Sequence, residues 1–394
     1  MTSSTSSSSK SSNPLLSTVA ALTLLTNTLT VLPQTSLAAV APLADVGLRE
    51  FLVKDSSQHI RLSLPSSMKP GTPIDLVNDE GRKAQEAVEL VRLRLEQVGF
   101  AGKPQVWNAC LKEVNTANSI LSSSNFLNTV PANQQKKAKG MLEEADKELE
   151  NLRDSIRNQD PTSTLQYQDS AAQKIYSIRL LSMPPQTLPY TLPSEFSGYP
   201  ILQGLATVSM EITHPSNSPF TLSDGAKSPT LPLTLTIDGY RSPVTSGNFL
   251  SLVKSGVYTN IKITDTNDLF VNTSVKSDKK IPLELFYKKD TKPTYHYSSD
   301  DDLRATEAFA DPFQAKGALG MIHDPEDVDS GKGDFFFLKW DQGLVAPGRN
   351  TLDGSSTCFG YVTRNQESLE QIRMGDVISK AVVVEGLENL SVKK

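Results

Sequence analysis

The feature that most constrains this chain is a change of hydrophobic period across a proline-rich stretch. Before Pro184 the apolar residues recur every three to four positions, and after Pro200 they alternate. The first spacing buries one stripe of a helix and the second buries one face of a strand. The two halves must therefore build different layers. The helical half has four segments. Gly81 to Val98 spaces Ala84, Ala87, Val88, Val91 and Leu95 on one stripe, and Val106 to Leu121 does the same with Trp107, Cys110, Val114 and Ala117. Pro131 to Ile156 places Pro131 in a first-turn position, and Asp160-Pro161 opens a fourth segment that runs to Leu181 before Pro184-Pro185. Short polar links between them predict an antiparallel bundle. None carries a Glu-x-x-His pair, so the bundle reads as a packing or interaction module.

After Pro200, Leu205 to Ile212 and Leu231 to Ile237 alternate as strands. The run Gly239 to Phe249 leads into a helix ending at Val253, with Asn248-Phe249 read as the helix start and its core anchor. Short strands, few helices and many turn residues predict a closed antiparallel barrel. The expected organisation is a leader at 1–41, a helical bundle at 42–186, a proline-rich linker at 187–203 acting as a stiff connector, and a barrel at 204–394. Residues 42–80, with Pro65, Pro70 and Pro73, read as irregular.

Residues 1–41 carry a single charge, Lys10, followed by a diluted apolar run that ends in Ala38-Ala39-Val40-Ala41. That pattern predicts a cleaved signal; a membrane anchor is the competing reading, and Thr and Asn interrupt the run. The hydroxyl-rich, acid-free composition also suits a plastid presequence whose second half exports into the thylakoid lumen. Of the whole chain, 39 residues are basic and 44 acidic, a formal charge of -5, which excludes a general nucleic-acid binder. Two cysteines and four histidines exclude a disulfide scaffold and a His-rich metal site.

The order Pro243-x-Thr245-x-x-Asn248-Phe249, Tyr258, Gly317-x-Leu319-x-Met321, Phe335-Phe336, Leu352-Asp353-Gly354 and Phe359-Gly360 resembles the cyclophilins. The resemblance covers about 204–394. It implies an eight-stranded barrel capped by two helices, prolyl isomerase chemistry on proline-containing segments, and no cofactor or metal. The preceding bundle, Ser194-Glu195-Phe196, Ile281-Pro282-Leu283-Glu284-Leu285 and the ending Gly375 to Leu390 resemble the large thylakoid-lumen members. That narrower resemblance implies a lumenal protein, peripheral to the thylakoid membrane at most, in photosystem II assembly or maintenance.

Rotating an X-Pro bond breaks amide resonance, a barrier of roughly 18–20 kcal/mol. The chemistry needs an apolar slot for the ring and a cation that donates to the prolyl nitrogen as it pyramidalises. Counted from Tyr258, the position of the family's arginine is Asp265, an anion. Lys262 is the nearest substitute in sequence, but strict strand alternation would point it to the opposite face. The family's glutamine falls on Asn272, its histidine on Ser356 and its tryptophan on Thr351. The expected proline pocket is Leu269, Phe270, Met321, Phe336, Thr351 and Leu352. If the pocket is not used, Phe336 and Leu352 read as barrel core before ligand contacts. His323 reads as a lone exposed imidazole, and the acids Asp324, Glu326, Asp327 and Asp329 read as a solvated loop before a weak calcium site. Asp300-Asp301-Asp302 reads as solvated too. Cys110 and Cys358 read as free thiols, with a bundle-to-barrel disulfide as the alternative. Three functions stay open: a proline-segment binder with weak or lost catalysis, an active prolyl isomerase, and a scaffold whose bundle binds a membrane complex and occludes the barrel.

Overall fold

The computed structural model describes residues 55–66, 68, 69, 71, 79–96, 103–339 and 352–392. The leader expected at 1–41 and the pocket residue Thr351 lie outside the described residues. The helical half contains α1 (Ser56–Ser63), α2 (Glu80–Glu96), α3 (Pro104–Leu121), the short α4 (Ser124–Asn128), α5 (Gln135–Arg157) and α6 (Pro161–Leu180). Helix α2 packs on α3 and α6, and α5 packs on the same two. The stripes read from the sequence meet in this core: Val88 and Val91, Cys110 and Val114, Leu149 and Leu152, and Ala171 and Ile175 are all fully buried. Asp160 caps α6 by accepting from the Thr162 and Ser163 amides at 3.1 and 3.2 Å, with Pro161 in the first turn.

Two helix expectations change. Helix α5 starts at Gln135, not Pro131, because the carbonyl of Pro131 closes a tight turn with the Gln134 amide at 2.8 Å. The stretch expected to be irregular holds α1. Its eight residues are too short to show a period, but Asp55 caps it through the Gln58 amide at 2.7 Å, and packing on both sides holds it.

The barrel strands are β1 (Leu205–Thr213), β2 (Thr230–Asp238), β3 (Ile261–Thr266), β4 (Phe270–Thr273), β5 (Ala318–Met321), β6 (Phe335–Leu338), β7 (Cys358–Arg364) and β8 (Val377–Glu385). They close in the order β5-β6-β4-β3-β8-β1-β2-β7, each pair antiparallel. Strands β1 and β2 pair from Leu205↔Asp238 to Thr213↔Thr230. Their alternation sends Val208, Met210, Leu233 and Leu235 inward. Closure leaves no edge and fills the interior with rings, Phe249 lying 5.0 Å from Tyr258 and from Phe359 and 5.3 Å from Phe335.

The helical segments of the barrel are α7 (Pro243–Lys254) and two 3-10 turns, Gln366–Gln371 and Leu387–Asn389. Asn248 is therefore inside α7 and not at its start; Pro243 holds the first turn, and the Asn248 amide donates to the Lys332 carbonyl. A Cβ at Gly247 would lie 2.2 Å from the Pro200 carbonyl oxygen, so glycine lets α7 approach the short strand Pro200–Leu202. That strand pairs with Leu390–Val392. The proline-rich stretch is thus no free spacer. Leu188, Tyr190, Phe196 and Leu202 are buried in the barrel core, and the Tyr190 hydroxyl donates to the Tyr240 carbonyl at 2.6 Å. Apolar side chains between the prolines make docking more favourable than extension.

Bundle and barrel belong to one compact unit, and α1 is keyed into both. Toward the barrel, the Ser57 hydroxyl donates to the Thr363 carbonyl at 3.2 Å, the His59 ring lies 4.4 Å from that of Tyr361, and Arg241 donates to the Ser63 carbonyl. Toward the bundle, Arg61 pairs with Glu89 of α2 at 2.6 and 3.1 Å and with Asp169 of α6 at 3.0 Å. Arg179 of α6 donates to the Arg61 and Leu64 carbonyls at 2.8 and 3.3 Å. A cleft of about 580 Å³ remains beside α1, walled by Tyr176 and Ser177 on the bundle and by Thr207, Thr234, Thr236 and Thr363 on the barrel. The bundle therefore sits on β1, β2 and β7, and α1 also reaches the lead-in to β5, where the Ser56 hydroxyl donates to the Lys316 carbonyl. Among the described residues, the bundle-to-barrel bonds and ring contact named above do not involve β4 or β6.

Candidate functional site

Of the predicted positions, Asp265, Phe270, Asn272 and Phe336 meet across β3, β4 and β6. Strand β4 alternates, with Val271 and Thr273 buried and Phe270 and Asn272 half-buried. Across β6, Asn272 faces Phe336 in register, and the Phe270 ring stands edge-on to Phe336 at 5.1 Å. Across β3, Asn272 faces Asp265, and its amide donates to the Asp265 carboxylate at 3.3 Å. The ladder is irregular between Ile263 and Asp265. This bulge leaves Thr264 and Asp265 both exposed and breaks the alternation used to place Lys262; Lys262 is exposed on the outside of the barrel as well.

Phe336 sits over Gly320. Even a methyl group there would come within 2.0 Å of the ring, so only glycine admits the phenylalanine. Phe313 packs on its other side at 5.5 Å. Phe313 was not expected at the site: Ala310-Asp311-Pro312-Phe313 has no strand or helix period, and only the tertiary fold brings it to β6. Leu269 is 40% exposed at the turn before β4, where Asn267 accepts from the Leu269 and Phe270 amides at 2.8 and 2.9 Å.

Met321 departs from expectation. It pairs with Phe335, whereas Gly320 pairs with Phe336. Directly opposed residues share a face, so Met321 lies on the inner side with Phe335, against Gly331, and leaves Gly320 on the pocket side. Leu352 is half-buried against the barrel core. The following Asp353 accepts from the Phe313 amide at 2.8 Å, which ties that turn to the Phe313–Phe336 pair. Ser356 lines a small space with Glu284, Asp311 and Phe313.

His323 is neither isolated nor fully exposed. Its Nε2 lies 2.5 Å from the Ser355 carbonyl oxygen and its Nδ1 2.9 Å from that of Asp324. In the acidic loop, Asp327 pairs with Lys280 at 2.7 Å and Asp329 with His296 at 2.8 Å. Among the described residues, no group of three or more His, Cys, Asp or Glu side chains is placed to hold a metal ion. Cys110 lies in the bundle core and Cys358 on β7, both buried and free.

One buried carboxyl supports this architecture. Ser242, at the N-cap of α7, makes no side-chain cap. Glu284, 2% exposed, accepts instead from the Val244 and Thr245 amides at 3.3 and 3.0 Å. Burial pushes its carboxyl up to about 7, against the pull of those amides. In the unfolded chain a glutamate titrates near 4.5. The folded state therefore holds the proton more tightly. Glu284's contribution is fully present below 4.5 and is lost as pH rises to about 7, a change on the order of 3 kcal/mol. Urea unfolding at pH 4.5 and 7.5 should show that the Glu284→Gln variant lacks this part of the decline. Parallel curves for the two proteins would contradict the assignment.

An eight-stranded closed barrel with an aromatic floor on its outer face defines the class, a cyclophilin-type barrel. Comparison with known proteins agrees. The family model for cyclophilin type peptidyl-prolyl cis-trans isomerase/CLD matches residues 228–390. A putative thylakoid lumen peptidyl-prolyl cis-trans isomerase of Synechocystis is 30% identical over 334 residues, covering 81% of each chain. The chain belongs to the cyclophilin-type peptidyl-prolyl cis-trans isomerase family.

Two chloroplastic peptidyl-prolyl cis-trans isomerases of Arabidopsis thaliana are similar as well. CYP38 is 30% identical over 216 residues, 52% of this chain and 48% of that protein. CYP37 is 31% identical over 255 residues, 62% of this chain and 53% of that protein. The chain thus spans about half the length of these two. The relatives support a thylakoid-lumen location. Among solved structures, the Mimivirus cyclophilin aligns with 16% identity and a TM-score of 0.31, over 47% of this chain and 92% of that one.

Proposed function

We propose that this protein binds proline-containing segments on the outer face of β4 and β6 and isomerises them weakly or not at all. The observation that carries the reading is Asp265, in register with Asn272 and beside the Phe270–Phe336 pair. The apolar floor for a proline ring remains, but the group beside it is an acceptor. A carboxylate cannot donate to the prolyl nitrogen, and the Asn272 amide is turned toward it. Assembly or maintenance of photosystem II is the role we propose for this binding, with lumenal segments of that complex as partners. The resemblance to the large lumenal cyclophilins supports it.

The test is isomerisation of a short Ala-Pro peptide by the chain from residue 42 onward, together with binding of the same peptide. We expect measurable binding and a rate close to the uncatalysed one, which takes tens to hundreds of seconds. A rate orders of magnitude above that would make the chain an active isomerase, and no binding would remove the proline-segment reading.

A further inference from the structure

We infer that His323 is a positioning residue: it ties the 352–356 turn to the end of β5 and so sets Leu352 as the side wall of the proline site. The inference rests on the reading of the β4–β6 outer face as that site. His323 lies two residues beyond the end of β5. Its ring bridges two chain segments, with Nε2 2.5 Å from the Ser355 carbonyl oxygen and Nδ1 2.9 Å from that of Asp324. The same turn is closed by the Ser355 and Ser356 amides, each donating to the Leu352 carbonyl at 3.1 Å. One carbonyl of the Leu352 turn is therefore held from outside by the imidazole, and another from within by the turn itself.

The surrounding bonds show why this tie matters. At one end of the turn, Asp353 holds the Phe313 amide. Beyond its other end, the Thr357 carbonyl accepts from the Met321 amide at 3.0 Å. Between these anchors the ring of His323 reaches across to the Ser355 carbonyl. A neutral imidazole donates to one carbonyl at a time, and an imidazolium donates to both. A glutamine at this position keeps a donor for the Ser355 carbonyl; an alanine keeps none.

The experiment compares the chain from residue 42 onward with its His323→Ala and His323→Gln variants. Amide hydrogen exchange at Ser355 and Ser356 reads the tie, and titration with a short Ala-Pro peptide reads the wall. In the alanine variant we expect exchange at these amides to speed about tenfold and peptide binding to weaken about fivefold, with the melting temperature little changed. The glutamine variant should recover most of both. Unchanged exchange in the alanine variant would overturn the tie. Faster exchange with unchanged peptide affinity would overturn the positioning role, as would failure of glutamine to restore affinity. If the unaltered chain binds no peptide, the proposed function falls, and the exchange comparison still decides the tie.

Discussion

Replacing Arg61 by alanine is expected to cost about 3–5 kcal/mol of stability, because it strands a buried carboxylate. Glu89 is fully buried, and Arg61 covers it with two hydrogen bonds at 2.6 and 3.1 Å. The remaining donors to Glu89 are the Gln85 and Gln168 amides at 3.0 and 3.1 Å. Neither carries the charge needed to offset its desolvation. The same change frees Asp169 and removes the bundle-side key of α1. Urea unfolding measures the effect, and a loss below about 1 kcal/mol would show that the pair is not the buried device described. Adding Glu89→Leu to Arg61→Ala should return much of the loss, since an apolar pair avoids the uncompensated charge. The alanine variant should leave binding of a proline peptide intact, because the partners Arg61 loses, Glu89 and Asp169, belong to the bundle helices α2 and α6.

Placing a cation at the site is expected to have a comparable effect on rate. Asp265 is exposed on β3 and already touches Asn272 across the ladder. In Asp265→Arg a guanidinium would start from that backbone position, beside the Phe270–Phe336 floor. Loss of one preorganised donor typically costs about 2.7–4 kcal/mol, or roughly 10²–10³ in rate. Its restoration should raise prolyl isomerisation by a factor of that order at most, with peptide affinity little changed. Ser356 is a poorer place to intervene, because it lines an enclosed space with Glu284 and Asp311. A rate that stays at the uncatalysed level while the peptide still binds would mean that the bulge between Ile263 and Asp265 has moved the donor position away from the proline.

The two substitutions act on different parts of one fold. The ring order places β1, β2 and β7 under the bundle and β3, β4 and β6 under the site.

Much of this was legible in the residues alone. The four bundle helices follow from apolar stripes, since a helix of that length must hide one face. Strands β1 and β2 follow from two alternating runs, and their pairing comes from the structure. The anion at 265 and the apolar residues at 270 and 336 were readable as residue types, and register then placed them side by side. What the sequence could not supply were contacts made by segments with no period of their own. Helix α1 is eight residues long and owes its place to the bundle on one side and the barrel on the other. Phe313 and Gly320 matter only because one packs on a ring and the other lies beneath it. Met321 faces inward because the β5–β6 register makes Gly320, not Met321, the partner of Phe336.

The sequence by itself determined the change from a helical to an alternating period and the anion at position 265, because period and residue type are local properties. Only the tertiary structure decided that the bundle docks on β1, β2 and β7, that the proline-rich stretch is packed and not a spacer, and that His323 spans two segments. Each of these depends on a long-range contact whose free energy comes from burial or a hydrogen bond between residues far apart in the chain.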